Sequence, residues 1–223
     1  PNPYTISWNC LDQIGFHDNP RRRQLGPNLI YQFYNDQINS SGIYWDRLYW
    51  HYHPISFNKA LNKTGASLNH YPYHYASLCH RVLDCHSFPA VFRPGYHIER
   101  TDLNVFLEQW IPFDYANQNA LDQRKDENYR FQDWRKAPTE WSVYHPDFSD
   151  PRRPGNLKRA VARCLNIGTD FAKLTKDEIH KAFQRCSEGK PTILAYCNHD
   201  HRDMIAEIEE VTSLIHDVST HYE

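Results

Sequence analysis

Residues 43–53 read IYWDRLYWHYH and run directly into Pro54. Aromatic residues predominate in this segment, which predicts a β-strand that the proline ends. His51 and His53 lie two residues apart near its end, so their side chains project from one face and can bind one metal ion together. In a chain with 14 histidines, the alternative is a pair that serves only packing or hydrogen bonding.

Short strand-like runs alternate with longer segments of helical period on both sides of this strand. Further strands are predicted at residues 4–10, 88–93 and 192–197. Helices are predicted at residues 21–39, 73–84, 102–110, 175–186 and 204–218. Thr175 is the expected N-cap of the fourth helix, with Glu178 in the capping-box position. This alternation favours an α/β fold with a mostly parallel sheet.

Length and composition limit the domain count and the classes of function. The 223 residues are expected to form one domain covering 1–223, with a long irregular excursion at about 116–154. The net charge of −2 predicts no overall attraction to nucleic acid or to an anionic membrane. Six cysteines without a Cys-x-x-Cys pair predict reduced thiols in a cytoplasmic protein. Neither a signal peptide nor a transmembrane run is expected.

Polar and aromatic side chains recur where predicted strands or short apolar stretches end. They are Arg93, Tyr96, Asp114, Tyr115, His199 and Asp200. Arg93 is suited to holding a carboxylate through paired hydrogen bonds, whereas Asp200 could instead cap the following helix. Because the carboxyl ends of parallel strands meet at one edge of a sheet, where α/β active sites form, we expect these residues to share a site with His51.

The order of these motifs resembles that of the NodB-type polysaccharide deacetylases. The matching segments read WHYHP at 50–54, FRPGY at 92–96, FDY at 113–115 and ILAYCNHD at 193–200. The resemblance covers nearly the whole chain and implies a distorted (β/α) barrel of the NodB deacetylase type. The family's histidine pair is spaced by three residues, whereas this pair is spaced by one.

The family pattern begins with an acidic pair that contains the catalytic base and a metal ligand. Residues 4–8 resemble the family's second strand, so we expect the first strand and the acidic pair to precede Pro1. Asp12 is the only nearby candidate within the chain, and its position after the strand matches the family poorly. The chain as given is therefore expected to be inactive or nearly so.

The resemblance implies a metal-dependent hydrolase that removes an acyl group from an N-acylated sugar or polysaccharide. His51 and His53 would hold zinc or another divalent metal. His199 would protonate the departing amine, Asp200 or Asp203 would orient His199, and Arg93 would orient the base. The implied contacts with the carbohydrate substrate are Tyr96, Asp114 and Tyr115.

Two other functions are open on the sequence. An amidohydrolase-type barrel acting on a small amide also uses a His-x-His pair, but on its first strand, whereas the predicted strand 4–10 precedes this pair. Two bridged metal ions would favour that class. The second alternative is a non-catalytic, deacetylase-like domain that binds polysaccharide.

Overall fold

The computed structural model of the chain describes residues 5–11, 26–43, 45–52, 71–121, 132–199 and 202–222. The chain divides into two compact units. The N-terminal unit comprises Pro1–Asp114 with Arg130–Gln132, and the C-terminal unit comprises Tyr115–Tyr129 with Asp133–Glu223. Among the described residues, no helix is both long enough and apolar enough to cross a membrane. The expectation of a single domain stays a prediction.

The N-terminal unit is built from parallel strands that alternate with helices. Its strands are β1 Ser7–Leu11, β2 Arg47–Tyr52, β3 Val91–Pro94 and the start of β4 Phe113–Asn117. Its helices are α1 Pro27–Ser41, α2 Tyr71–Leu83 and α3 Thr101–Trp110. The strands pair in parallel in the order β1-β2-β3-β4. The predicted alternation of strands and helices is thereby confirmed for this unit.

One face of these strands forms the apolar core of the N-terminal unit. Trp50 of β2 and Phe92 of β3 are in register and fully buried, and helix α3 adds Leu103 and Phe106, which are also fully buried. The two α3 residues lie three positions apart and therefore on one face of the helix. Burial of each large apolar side chain stabilises the fold by about 1.5–3 kcal/mol.

Helix α1 buries a different stripe from the one that hydrophobicity alone suggests. Leu29 and Phe33 are 54% and 57% exposed, whereas Tyr31 is 8% exposed. The Tyr31 ring lies under the guanidinium of Arg81 of α2, 4.3 Å from ring centroid to Cζ, and Tyr34 stacks on Trp8 of β1. The two tyrosines therefore provide the ring contacts of α1, Tyr34 with strand β1 and Tyr31 with α2.

The C-terminal unit contains the end of β4, two short strands and a separate strand pair. Its strands are β5 Val143–Tyr144, β6 Ala160–Arg163, β7 Leu165–Asn166 and β8 Tyr196–Cys197. Its helices are α4 Lys176–Ser187 and α5 Ile205–Ser219. The six-stranded sheet has the order β1-β2-β3-β4-β6-β5, with β5 antiparallel to β6, and β7 pairs with β8 in parallel in a second sheet. The α/β class with a mostly parallel sheet is confirmed.

The predicted strand at 192–197 is longer than the strand that forms. Only Tyr196–Cys197 are paired, and they belong to the two-stranded sheet and not to the larger one. The reason lies in the preceding backbone, where the Ile193 amide donates to the Trp141 carbonyl at 2.9 Å instead of to a neighbouring strand. The sequence predicts no strand at β4, β5, β6 or β7; the last three comprise only two to four residues, too few to show a periodicity of two.

The irregular excursion at 116–154 contains little regular structure beyond the end of β4 and the short β5, although residues 122–131 lie outside the described part. Trp134 and Trp141 are each 1% exposed and belong to two apolar clusters of the C-terminal unit. Both tryptophans therefore serve packing.

Candidate functional site

His51 lies near the carboxyl end of β2 and is half-buried. Its Nδ1 is 2.7 Å from the carbonyl oxygen of Arg93 on the neighbouring strand β3. A carbonyl oxygen can only accept a hydrogen bond, so Nδ1 donates, and in the neutral ring the lone pair is then on Nε2. Histidines that ligate a metal through one ring nitrogen commonly donate a hydrogen bond from the other ring nitrogen, and that bond orients the ring.

Arg93 occupies the register position beside His51 on β3. Residues at paired positions of parallel strands project from the same face, so the two side chains share a face of the sheet. That face is opposite to the one on which Trp50 and Phe92 pack against the helices. The Arg93 side chain is buried, with 7% of the residue exposed.

The guanidinium of Arg93 contacts His97, which the sequence reasoning did not single out. Arg93 Nη2 donates to His97 Nε2 at 2.8 Å, and His97 is 1% exposed. Arginine cannot accept a hydrogen bond, so Nε2 of His97 accepts, and its proton is then on Nδ1 in the neutral ring. The available signal was the turn FRPGYH, in which the histidine follows the arginine by four residues.

The turn after β3 has an unusual backbone. Tyr96 and His97 have φ angles of 53° and 51°, in the left-handed region that residues other than glycine rarely occupy. Two consecutive residues of this kind cost of the order of 1–3 kcal/mol each, and such strain persists only where surrounding contacts fix it. The burial of His97 and its bond to Arg93 provide that support, and they hold the half-buried Tyr96 at the carboxyl end of β3.

Asp114 is not brought together with His51 and Arg93. It is fully buried, and its register partner is Phe92, so it lies on the opposite, helix-covered face of the sheet. Tyr115, the next residue, is half-buried and begins the C-terminal unit. The proposed contacts of Asp114 and Tyr115 with substrate stay predictions.

His199 follows β8 in the C-terminal unit and is exposed. It therefore lies at the carboxyl end of a strand, as expected, but of the two-stranded sheet. Its amide donates to Asn198 Oδ1 at 2.9 Å, and its carbonyl accepts from the Arg202 amide at 3.3 Å. His53, Asp200 and Asp12 lie outside the described residues.

His51 at the end of β2 is suited to ligate a divalent metal through Nε2, because its Nδ1 is already hydrogen-bonded to a carbonyl. Within the described ranges there is no group of three or more histidines, cysteines or acidic residues that could hold a metal. The described site thus offers one oriented imidazole beside a buried guanidinium held by a second imidazole. Comparison with known proteins found no family model, no curated protein and no solved structure that matches this chain.

Proposed function

We propose that this chain is a metal-dependent hydrolase that removes an acyl group from an N-acylated sugar or polysaccharide, on a (β/α) barrel of the NodB deacetylase type. The observation that carries the proposal is the position of His51 and Arg93. They are neighbours on adjacent parallel strands, near the carboxyl ends and on the face away from α2 and α3. In a (β/α) barrel the helices cover the outer face, and inward residues at these strand ends form the active site.

Each side chain in the proposal has a chemical task. His51, together with His53, holds the metal, and zinc suits imidazole ligands. A bound zinc ion supplies Lewis acidity toward the amide carbonyl. Arg93 is permanently charged and, held by His97, orients an acidic group that removes a proton from the attacking water. His199, oriented by Asp200, protonates the departing amine.

The metal site is tested by metal analysis combined with an assay for acetate release from an N-acetylglucosamine oligomer. In the full-length enzyme, His51→Ala is expected to lose bound zinc and activity together. His80→Ala is the control, since His80 is a partly exposed histidine of α2 that pairs with Asp84. A chain that holds two metal ions would favour the amidohydrolase class, and a chain that binds the oligomer without cleaving it would be a non-catalytic binding domain.

The role of His199 has a separate test. General acid catalysis contributes about 10²–10⁴-fold, so in the full-length enzyme His199→Ala is expected to lower kcat by that factor while metal content and melting temperature stay unchanged. His216→Ala, at an exposed position of α5, serves as the control. Loss of metal from His199→Ala would make His199 a ligand and would contradict its role as the acid.

A further inference from the structure

A closed ring of hydrogen bonds surrounds the backbone of His199. On one side its amide donates to the Asn198 side chain, and on the other its carbonyl accepts from the Arg202 amide. The Asn198 side-chain amide then donates to Glu207 Oε2, and Arg202 Nη2 donates to Glu207 Oε1 at 2.5 Å. The Glu207 carboxylate therefore closes the ring and ties Asn198 and Arg202 to the first turn of α5.

A glycine just after the neighbouring strand β7 leaves space for the Glu207 carboxylate. Gly168 follows β7 with φ +71°, and a Cβ added there would overlap both oxygens of Glu207. The side chain of Glu207 is 18% exposed, less than that of Arg202 at 35%. The segments that follow β7 and β8 therefore both contact the side chain of Glu207. Glu207 also lies in the first turn of α5, where negative charge is favourable.

We propose that Glu207 is a positioning residue for His199. This inference rests on the proposed function for the chemical role of His199, whereas the anchoring of its backbone rests on the hydrogen bonds alone. His199 is an exposed residue after a two-residue strand, and the ring of hydrogen bonds ties its backbone to α5. A general acid must lie within hydrogen-bond reach of the leaving group, and a misplacement of about 1 Å can cost about 10²-fold in rate.

The first test replaces the carboxylate without changing its size. In Glu207→Gln one of the two acceptor oxygens becomes an NH₂ donor, so Asn198 and Arg202 no longer each face an acceptor oxygen of their own. In the full-length enzyme we expect kcat to fall about 10- to 100-fold with KM unchanged. Exchange of the Arg202 amide proton, followed by NMR, is expected to become roughly tenfold faster. Glu209→Gln, an exposed residue of the same helix, should change neither quantity.

The second test displaces the Glu207 carboxylate while residue 207 itself stays glutamate. Gly168→Ala introduces a methyl group into the space of the Glu207 side chain, whose flexible end must move away. Gly189→Ala is the matched control, because Gly189 has φ +72° and no atom within 4 Å of an added Cβ. Gly168→Ala should reproduce the Glu207→Gln effects, and Gly189→Ala should not. When Glu207→Gln is already present, Gly168→Ala should change kcat and the exchange rate of the Arg202 amide little more than Gly189→Ala does.

The readouts separate this inference from the proposed function. Faster Arg202 exchange with lower kcat in both test variants supports the positioning role. Unchanged exchange overturns it, and so does faster exchange with an unchanged kcat in an active wild type. If the full-length wild-type protein cleaves no acylated sugar, the proposed function fails, and the exchange of the Arg202 amide alone decides whether Glu207 anchors His199.

Discussion

Arg163 and Glu178 form an ion pair in the interior of the C-terminal unit, with side chains 0% and 1% exposed. Two hydrogen bonds join them, at 2.5 and 2.7 Å, and Arg163 Nε donates to the Asn119 carbonyl. The guanidinium also lies over the Trp141 ring, 4.5 Å from its centroid. Such a pair contributes little net stability compared with apolar residues of the same shape, but removal of one partner leaves a buried charge without compensation.

The first prediction concerns this pair. Glu178→Gln keeps the side-chain shape but leaves the Arg163 charge unbalanced, so the free energy of unfolding should fall by about 3–5 kcal/mol. Urea denaturation measures the change. Asp177→Asn removes the same charge from an exposed neighbour in the first turn of α4, and should cost at most about 1 kcal/mol. Equal effects of the two substitutions would contradict the importance of the buried pair.

The second prediction concerns pH. A side-chain hydrogen bond from Arg135 lowers the pKa of Asp133 from 3.8 to about 2, against the opposing effect of partial burial. Because the pKa is lower in the folded chain, this carboxylate stabilises the fold above about pH 4 and loses that effect as pH falls toward 2. With 47% of its side chain exposed, screening limits the contribution to about 1 kcal/mol or less.

Asp133→Asn should therefore lower the free energy of unfolding at pH 6, and its difference from the wild type should shrink as pH falls toward 2. Urea denaturation at several pH values measures that difference. Asp170→Asn, at an exposed position, supplies the charge-matched control. A difference that is independent of pH would show that the ion pair with Arg135 is not formed in solution.

At the scale of elements, the first turn of α4 contains both a local N-cap and an ion pair with a residue on another element. The Thr175 hydroxyl accepts from the Glu178 amide at 3.3 Å, which confirms Thr175 as the N-cap. In a full capping box the glutamate side chain would return to the amide of the cap residue. Here the Glu178 carboxylate pairs with Arg163 instead, because a buried charge requires a charged partner more than a helix end requires a second cap.

The third prediction follows from this cap. Thr175→Ala removes the acceptor for the Glu178 amide and should lower the free energy of unfolding by about 1 kcal/mol. Thr175→Ser keeps a hydroxyl acceptor and should retain most of the stabilisation that the cap contributes. Thermal or urea denaturation of both variants measures the effect. A loss as large as that of Glu178→Gln would mean that the cap also fixes the buried ion pair.

At the scale of the whole molecule, each unit has its own apolar core. The cluster around Trp50, Phe92 and Leu103 belongs to the N-terminal unit, whereas Ile179 belongs to the cluster of the C-terminal unit. Leu103 and Ile179 are both 0% exposed, so truncation of either to alanine should cost about 2–5 kcal/mol.

The fourth prediction uses these two truncations. Leu103→Ala should raise amide hydrogen exchange chiefly in the N-terminal unit, and Ile179→Ala chiefly in the C-terminal unit, because each removes contacts within one core. Exchange measured by mass spectrometry resolves the two sets of peptides. An equal increase throughout the chain after either substitution would instead show one cooperative unit, as the sequence-based expectation of a single domain requires.

The sequence by itself determined the α/β class, the alternation of strands and helices and the N-cap at Thr175. These features depend on neighbours a few residues apart, so local periodicity and hydrogen-bonding capacity predict them. Strand-end reasoning also predicts that His51 and Arg93 share a site, and the structure places the two residues in register on neighbouring strands.

Only the tertiary structure decided which distant residues meet. It placed Asp114 on the helix-covered face, paired Glu178 with Arg163, and restricted the last predicted strand to Tyr196–Cys197. It also fitted Glu207 against Gly168, 39 positions earlier in the chain. Strand register and the packing of helices against strands set these contacts, and a one-residue change of register moves a side chain to the other face. Local sequence patterns carry no information about that choice, because the partners lie on segments far apart along the chain.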